Sequence, residues 1–204
     1  KYGSGPLMLP LPIRKQAVIL TPEHARRVLD ESPEPFSAAS SEKRAALSHF
    51  EPHGSLISQC PERTARRRFN EDVLEHERAV HHMVDKFLPV VDDEAGRLLA
   101  KARTRGELDW DTFNAGWTRM VRRVVFGDAA AGDQTISDMI IELRKAANWA
   151  FMHPKKTGLR SRFLARIQGY LDGAEPGSLA AVAASVPQSG DTMANHQVPQ
   201  WLFA

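Results

Sequence analysis

With 204 residues, of which 42% are hydrophobic and 25% charged, the chain has the makeup of one sizeable globular domain or a large part of one. Its 27 Lys and Arg against 25 Asp and Glu leave a net charge of +2, which gives no global drive toward nucleic acid or an acidic membrane surface. A single cysteine, Cys60, excludes an intrachain disulfide and a cysteine-only metal site, and no apolar run approaches the roughly 20 residues needed to span a bilayer. The chain opens at Lys1 with neither an initiator Met nor a signal pattern, so a cytoplasmic protein is expected.

In chain order, residues 6–12 and 16–20 read as short edge strands, the first broken by three prolines. Thr21-Pro22-Glu23 supplies an N-cap, a first-turn proline and an early acid, which predicts a helix through Leu29. Residues 32–41, rich in Pro and Ser, read as loop, and 42–50 as a short helix. From Pro61 onward helical spacing dominates. Val80, Val84, Phe87, Val91, Ala95 and Leu98 lie on one face, with Pro89 expected to kink or split the element. Asp111 is expected to cap a helix carrying Phe113, Trp117, Met120, Val121 and Val124, which Gly127 stops. Further helices are expected on Ile136, Ile140, Leu143, Ala147 and Ala150, and on Leu159, Phe163, Ile167 and Tyr170 up to Gly173. The last segment, 197–204, starts like a helix and ends on an uncapped apolar turn, which reads as an interruption. The fold class is therefore mainly α with a small amino-terminal β-sheet.

His76 and His81 superficially resemble a metalloprotease helix. Two ligands on one helical face need a spacing of four, and here the spacing is five, so the second ring is rotated away by roughly 100°. No metal site is assigned, and neither a phosphate loop nor a nucleophile signature is present. The sharpest local feature is Arg63-Thr64-Ala65-Arg66-Arg67-Arg68. Arg63 and Arg67 are four apart, so on a helix their guanidinium forks share a face and suit a pair of carboxylates. On charge alone a solvated basic face is the better reading, with nucleic-acid contact next.

The surroundings of that run carry a resemblance. Pro61-Glu62-Arg63-Thr64-Ala65-Arg66-Arg67-Arg68 is similar to the start of the C helix of bacterial cytochrome P450 enzymes, Pro-Glu-His-x-x-x-Arg-Arg, with Arg63 in place of the His. Thr21 to Leu29 resembles the B helix, and 36–58 the variable B–C region. Gly106 to Gly127 resembles a short strand and the E helix, 135–152 and 159–171 the F and G helices, and 197–204 the opening of the I helix. The resemblance implies a partial P450 fold over 1–204: 1–20 as small sheet strands, 21–60 as the B helix and B–C region, and 61–204 as helices C to the start of I.

The resemblance also implies function. Arg63 and Arg67 are expected to hold the propionates of a haem cofactor (iron protoporphyrin IX), with Leu56, Ile57 and Ala204 at its edge. Leu56, Ile57, Ala147 and Phe151 are expected in a substrate pocket. The complete protein is expected to be a haem-thiolate monooxygenase acting on a small apolar organic substrate, with a ferredoxin-like redox partner. Nucleic acid and membrane are not expected partners. The axial cysteine loop falls downstream in the family, Cys60 lacks its surroundings, and these 204 residues alone are expected to be inactive. The alternative is a non-catalytic helical binding or regulatory module using Arg63–Arg68.

Overall fold

The computed structural model describes residues 5–12 and 15–203, and the chain divides into two compact units at Ser40/Ser41. In the first unit, β1 (Leu7–Pro10) pairs antiparallel with β2 (Lys15–Val18), in register Leu7 with Val18 through Pro10 with Lys15. Leu7 and Leu9 are half-buried while Met8 and Pro10 are exposed, the two-residue alternation of a one-sided strand. Helix α1 (Pro22–Asp30) begins as the sequence predicts: the Thr21 hydroxyl accepts the His24 N–H at 3.3 Å, with Pro22 in the first turn.

The second unit is helical throughout. It contains α2 (Ser41–Leu47), α3 (Glu62–Leu74), α4 (Val84–Arg105), α5 (Trp110–Phe126), α6 (Gln134–Ala147), α7 (Thr157–Gly173), α8 (Leu179–Ser185) and α9 (Val198–Trp201). Short 3-10 turns at Ser55–Ile57, Ala150–Met152 and Ala194–His196 complete the elements that matter for the site. One core gathers Phe69 and Val73 from α3, Val125 and Phe126 from α5, Ile136 and Leu143 from α6, and Phe163 and Ile167 from α7. Ala180 and Ala183 of α8 and Trp201 of α9 close it, with the Trp201 ring stacked on Phe69 at 6.1 Å. No helix among the described residues is long and apolar enough to cross a membrane.

Three local expectations are corrected. Pro89 does not split α4, which runs unbroken from Val84 to Arg105 with the proline in its second turn. Residues 75–83 are not helical: Glu75 takes a left-handed conformation (φ 49°), and its carboxylate accepts the His82 backbone N–H at 2.7 Å. The cap of α5 is Asp109 and not Asp111, its carboxylate accepting the Thr112 N–H at 2.7 Å. Asp109→Ala is therefore expected to lower the midpoint of urea unfolding, whereas Asp111→Ala leaves it at the parent value.

α4 and α5 cross closely. A Cβ on Gly116 would lie 2.6 Å from a Leu98 methyl, so any larger residue there requires Leu98 to move. Around this crossing the one buried residue of α4, Glu94, accepts from Arg119 and Arg123 of α5.

Candidate functional site

The segment joining α2 to α3 carries an unusual density of buried polar groups. His49 and Glu51 are buried on either side of Phe50, and Ser58 is buried before α3 begins. Two hydrogen bonds fasten this segment to the α6–α7 connection and the first turn of α7. His49 Nε2 lies 3.3 Å from the Ala150 carbonyl, and Arg160 of α7 donates to the Ser48 carbonyl at 2.6 Å. The two segments of chain flank an open pocket of about 470 Å³, within the range that takes small organic ligands. Ile57 and Phe151 line it, and Arg44, His153 and Lys155 stand around it.

A second tie comes from the residue that precedes α9. The Gln197 side chain, fully buried, donates to the carbonyls of His53 at 2.9 Å and Thr192 at 3.0 Å, while its oxygen accepts the Ser55 N–H at 3.0 Å. The 3-10 turn at Ser55–Ile57 thus has its backbone held by a residue about 140 positions away. That turn points Ile57 into the interior and leaves Leu56 exposed.

The arginine run divides by helical face. Arg66 is buried and fully engaged, donating to the Asp191 carbonyl at 2.9 Å, the Ser58 hydroxyl at 2.6 Å and the Met193 sulfur at 3.7 Å. Arg67 and Arg68 are exposed and pair within the helix with Glu71 and Asp72. Arg63 is half-buried; its Nε is shielded from solvent and finds no acceptor among the described residues. A guanidinium donor in that condition is costly unless an acceptor arrives.

Burial and nearby cations set the electrostatics. Glu51 has no charged partner, and burial alone pushes its carboxyl up to about 8, so it is protonated at neutral pH. Burial pushes His196 down to about 4, assisted by His53, Arg160 and Arg66; the His53 and His196 rings meet edge-on at 4.8 Å. His49 is lowered first by burial and then by Lys155, His153 and Arg160. The region is positive and partly dry, a setting that favours an anion.

Comparison with family models, with curated proteins and with solved structures finds no match to this chain. Its chemistry therefore rests on its own geometry.

Of the residues singled out from sequence, Ile57 and Phe151 come together in the pocket wall. Ala147 is buried within the α6 core, Leu56 faces outward, and Arg63 and Arg67 sit one turn apart on α3. Ala204 lies outside the described residues. Sequence reasoning passed over Arg44, His153, Lys155, Glu51, His196 and Gln197. None stands in a repeating pattern; only the pairing of residues near 50 with residues near 153 and 197 assembles them.

One group of potential metal ligands is also new. Glu75, His81 and His82 bring ligand atoms within 4.8 Å of one another. The helical geometry that separates His76 from His81 on paper does not apply, since both lie in the non-helical connection between α3 and α4. Each ring already has protein partners. His81 Nε2 meets the Val73 carbonyl at 2.9 Å, its Nδ1 accepts the Met83 N–H at 3.1 Å, and His82 Nδ1 meets Glu75 Oε1 at 2.8 Å.

Proposed function

We propose that this chain forms the haem-anchoring and substrate-pocket portion of a haem-thiolate monooxygenase of the cytochrome P450 kind. The observation that carries the reading is the buried, unpartnered Nε of Arg63. A second guanidinium, Arg67, follows one turn later and is restrained only by an exposed ion pair to Glu71, which is weak and readily exchanged for a stronger acceptor. Two such donors fit two carboxylates borne on one rigid group, as haem propionates are. Bound haem would supply the oxygen activation; the residues of this chain bind and orient it. Ile57 and Phe151 furnish apolar wall for a substrate, and the fastenings through Arg160 and Gln197 hold that wall in place. Cys60 is exposed and lies three residues before Arg63, on the propionate side, so no bond to iron is assigned to it.

The alternative, a regulatory module gripping nucleic acid through Arg63–Arg68, is disfavoured by the fate of those charges. Arg66, in the middle of the run, is buried and its guanidinium is spent on the Asp191 carbonyl, the Ser58 hydroxyl and the Met193 sulfur, so the run does not present one continuous basic face. Nucleic-acid affinity depends on cations free to meet phosphates.

The test uses the full-length protein, reduced and exposed to carbon monoxide, where a red-shifted Soret band is expected. Replacing both Arg63 and Arg67 with Ala is expected to weaken haem retention roughly 10- to 100-fold, the loss of two charge-assisted contacts. A protein without any Soret absorbance, or a double variant holding haem as tightly as the parent, overturns the reading.

A further inference from the structure

The pocket between the α2–α3 connection and residues 150–155 has a chemical bias of its own. Its apolar lining comes from Ala45, Pro52, Ile57, Ala150 and Phe151, and its polar side is cationic: Arg44, His153 and Lys155. None of the described residues lining it is acidic. Neighbouring basic side chains are otherwise answered. Lys156 pairs with Glu142 at 2.7 Å, and Arg160 is spent on the Ser48 carbonyl. Arg44 and Lys155 have no ion pair or side-chain hydrogen bond among the described residues. The positive field reaches the buried interior, because Lys155 and His153 both oppose protonation of His49 behind the wall. The walls are also fixed with respect to each other by the His49–Ala150 and Arg160–Ser48 contacts, so the cations and the apolar surface are presented together.

We infer that the ligand of this pocket is an amphipathic carboxylate, its apolar body against Ile57 and Phe151 and its acid group between Arg44 and Lys155. This deepens the functional reading above and rests on its assignment of Ile57 and Phe151 to the substrate pocket, narrowing the substrate from a small apolar molecule to an apolar acid. A carboxylate suits the site because Arg44 offers a planar fork and Lys155 a mobile point charge, and no acidic residue among the described ones lines the pocket beside them. Phe151, 73% exposed without a ligand, gains a partner for its ring when an alkyl or aryl body is seated.

Isothermal titration calorimetry of the 204-residue chain with decanoate and with decan-1-ol tests this. Decanoate is expected to bind roughly tenfold more tightly than the alcohol in low salt, with the margin shrinking at 1 M salt. Arg44→Gln combined with Lys155→Gln is expected to bring decanoate down to the affinity of the alcohol and leave the alcohol unaffected. Phe151→Ala is expected to weaken both ligands equally. Equal affinity for acid and alcohol in the parent chain sinks the proposal, as does a double variant that still prefers the acid. All three positions are on the surface, and circular dichroism verifies that the variants fold. This measurement involves no haem, so its failure leaves the propionate reading intact, and a missing Soret band leaves the acid preference intact.

Discussion

Glu51→Gln is expected to gain stability over the parent protein steadily as the pH rises from 5 to 8. The carboxyl group is 2% exposed, its Oε2 has no hydrogen-bond partner, and its side chain lies so close to Gly54 that a Cβ there would meet Glu51 Cδ at 2.9 Å. Burial raises it from 4.5 to about 8. A carboxyl raised in the folded state keeps its proton after the unfolded chain has lost its own. The parent therefore loses stability as the pH climbs past about 4.5 and reaches a plateau above about 8. The full shift corresponds to about 5 kcal/mol, an upper value because water entry and local relaxation relieve part of it. An uncharged isostere removes this one contribution at every pH. Depressed histidines such as His49 and His196 act in the opposite pH direction, being penalised as the medium turns acid, and they are common to both proteins. The comparison therefore isolates Glu51. Urea unfolding of both proteins at pH 5, 6.5 and 8 gives the answer, and parallel stability profiles would show that the carboxyl is not the titrating group.

The second large effect is expected at the α4–α5 crossing. Glu94 is 2% exposed and accepts from Arg119 at 2.8 Å through Nε and from Arg123 at 2.8 Å. Arg123 also reaches Asp93 and Asp128, which sustain it if Glu94 is lost. Arg119 has no other acceptor among the described residues. Glu94→Ala thus strands one guanidinium against a partly buried surface and opens a space, with an expected loss of about 3 kcal/mol. Joining Glu94→Leu to Arg119→Met is expected to recover most of that loss, because two apolar side chains of similar bulk need no partner. Denaturant midpoints of the single and double variants measure both. A double variant as unstable as Glu94→Ala would place the effect in packing rather than in the orphaned charge.

What could be read from sequence was local. Thr21 and Pro22 announce α1 because a cap and a first-turn proline act within four residues. The periodic apolar residues of α6 and α7 announce helices because burial on one face repeats with the helical turn. Competing local signals misled where two choices lay side by side: Asp109 and Asp111 both precede the same helix, and only the carboxylate reaching the Thr112 N–H decides between them. Val80 continues a helical pattern across residues whose backbone has already turned away at Glu75. Helix α8 went unread because seven Ala-rich residues carry little periodicity; its Ala180 and Ala183 become core only through their packing. The site was legible in outline only. The charge of the arginine run is plain, yet which arginine is buried depends on Asp191 and Met193, and the cationic pocket depends on α2 meeting residues 150–155.

The clasp by Gln197 has a consequence for how the molecule comes into being. The turn that presents Ile57 takes its backbone partners from a side chain about 142 residues later. On a ribosome adding roughly 5–20 residues per second, that partner follows some ~7–28 s behind. Until then, residues 53–58 must wait without their closing contacts, and Ile57 has only the nearer helices for shelter. The turn carrying Ile57 is accordingly among the last features of the chain to set, and the interval before Gln197 emerges is when a nascent-chain protease would cut between His53 and Ser58 most readily.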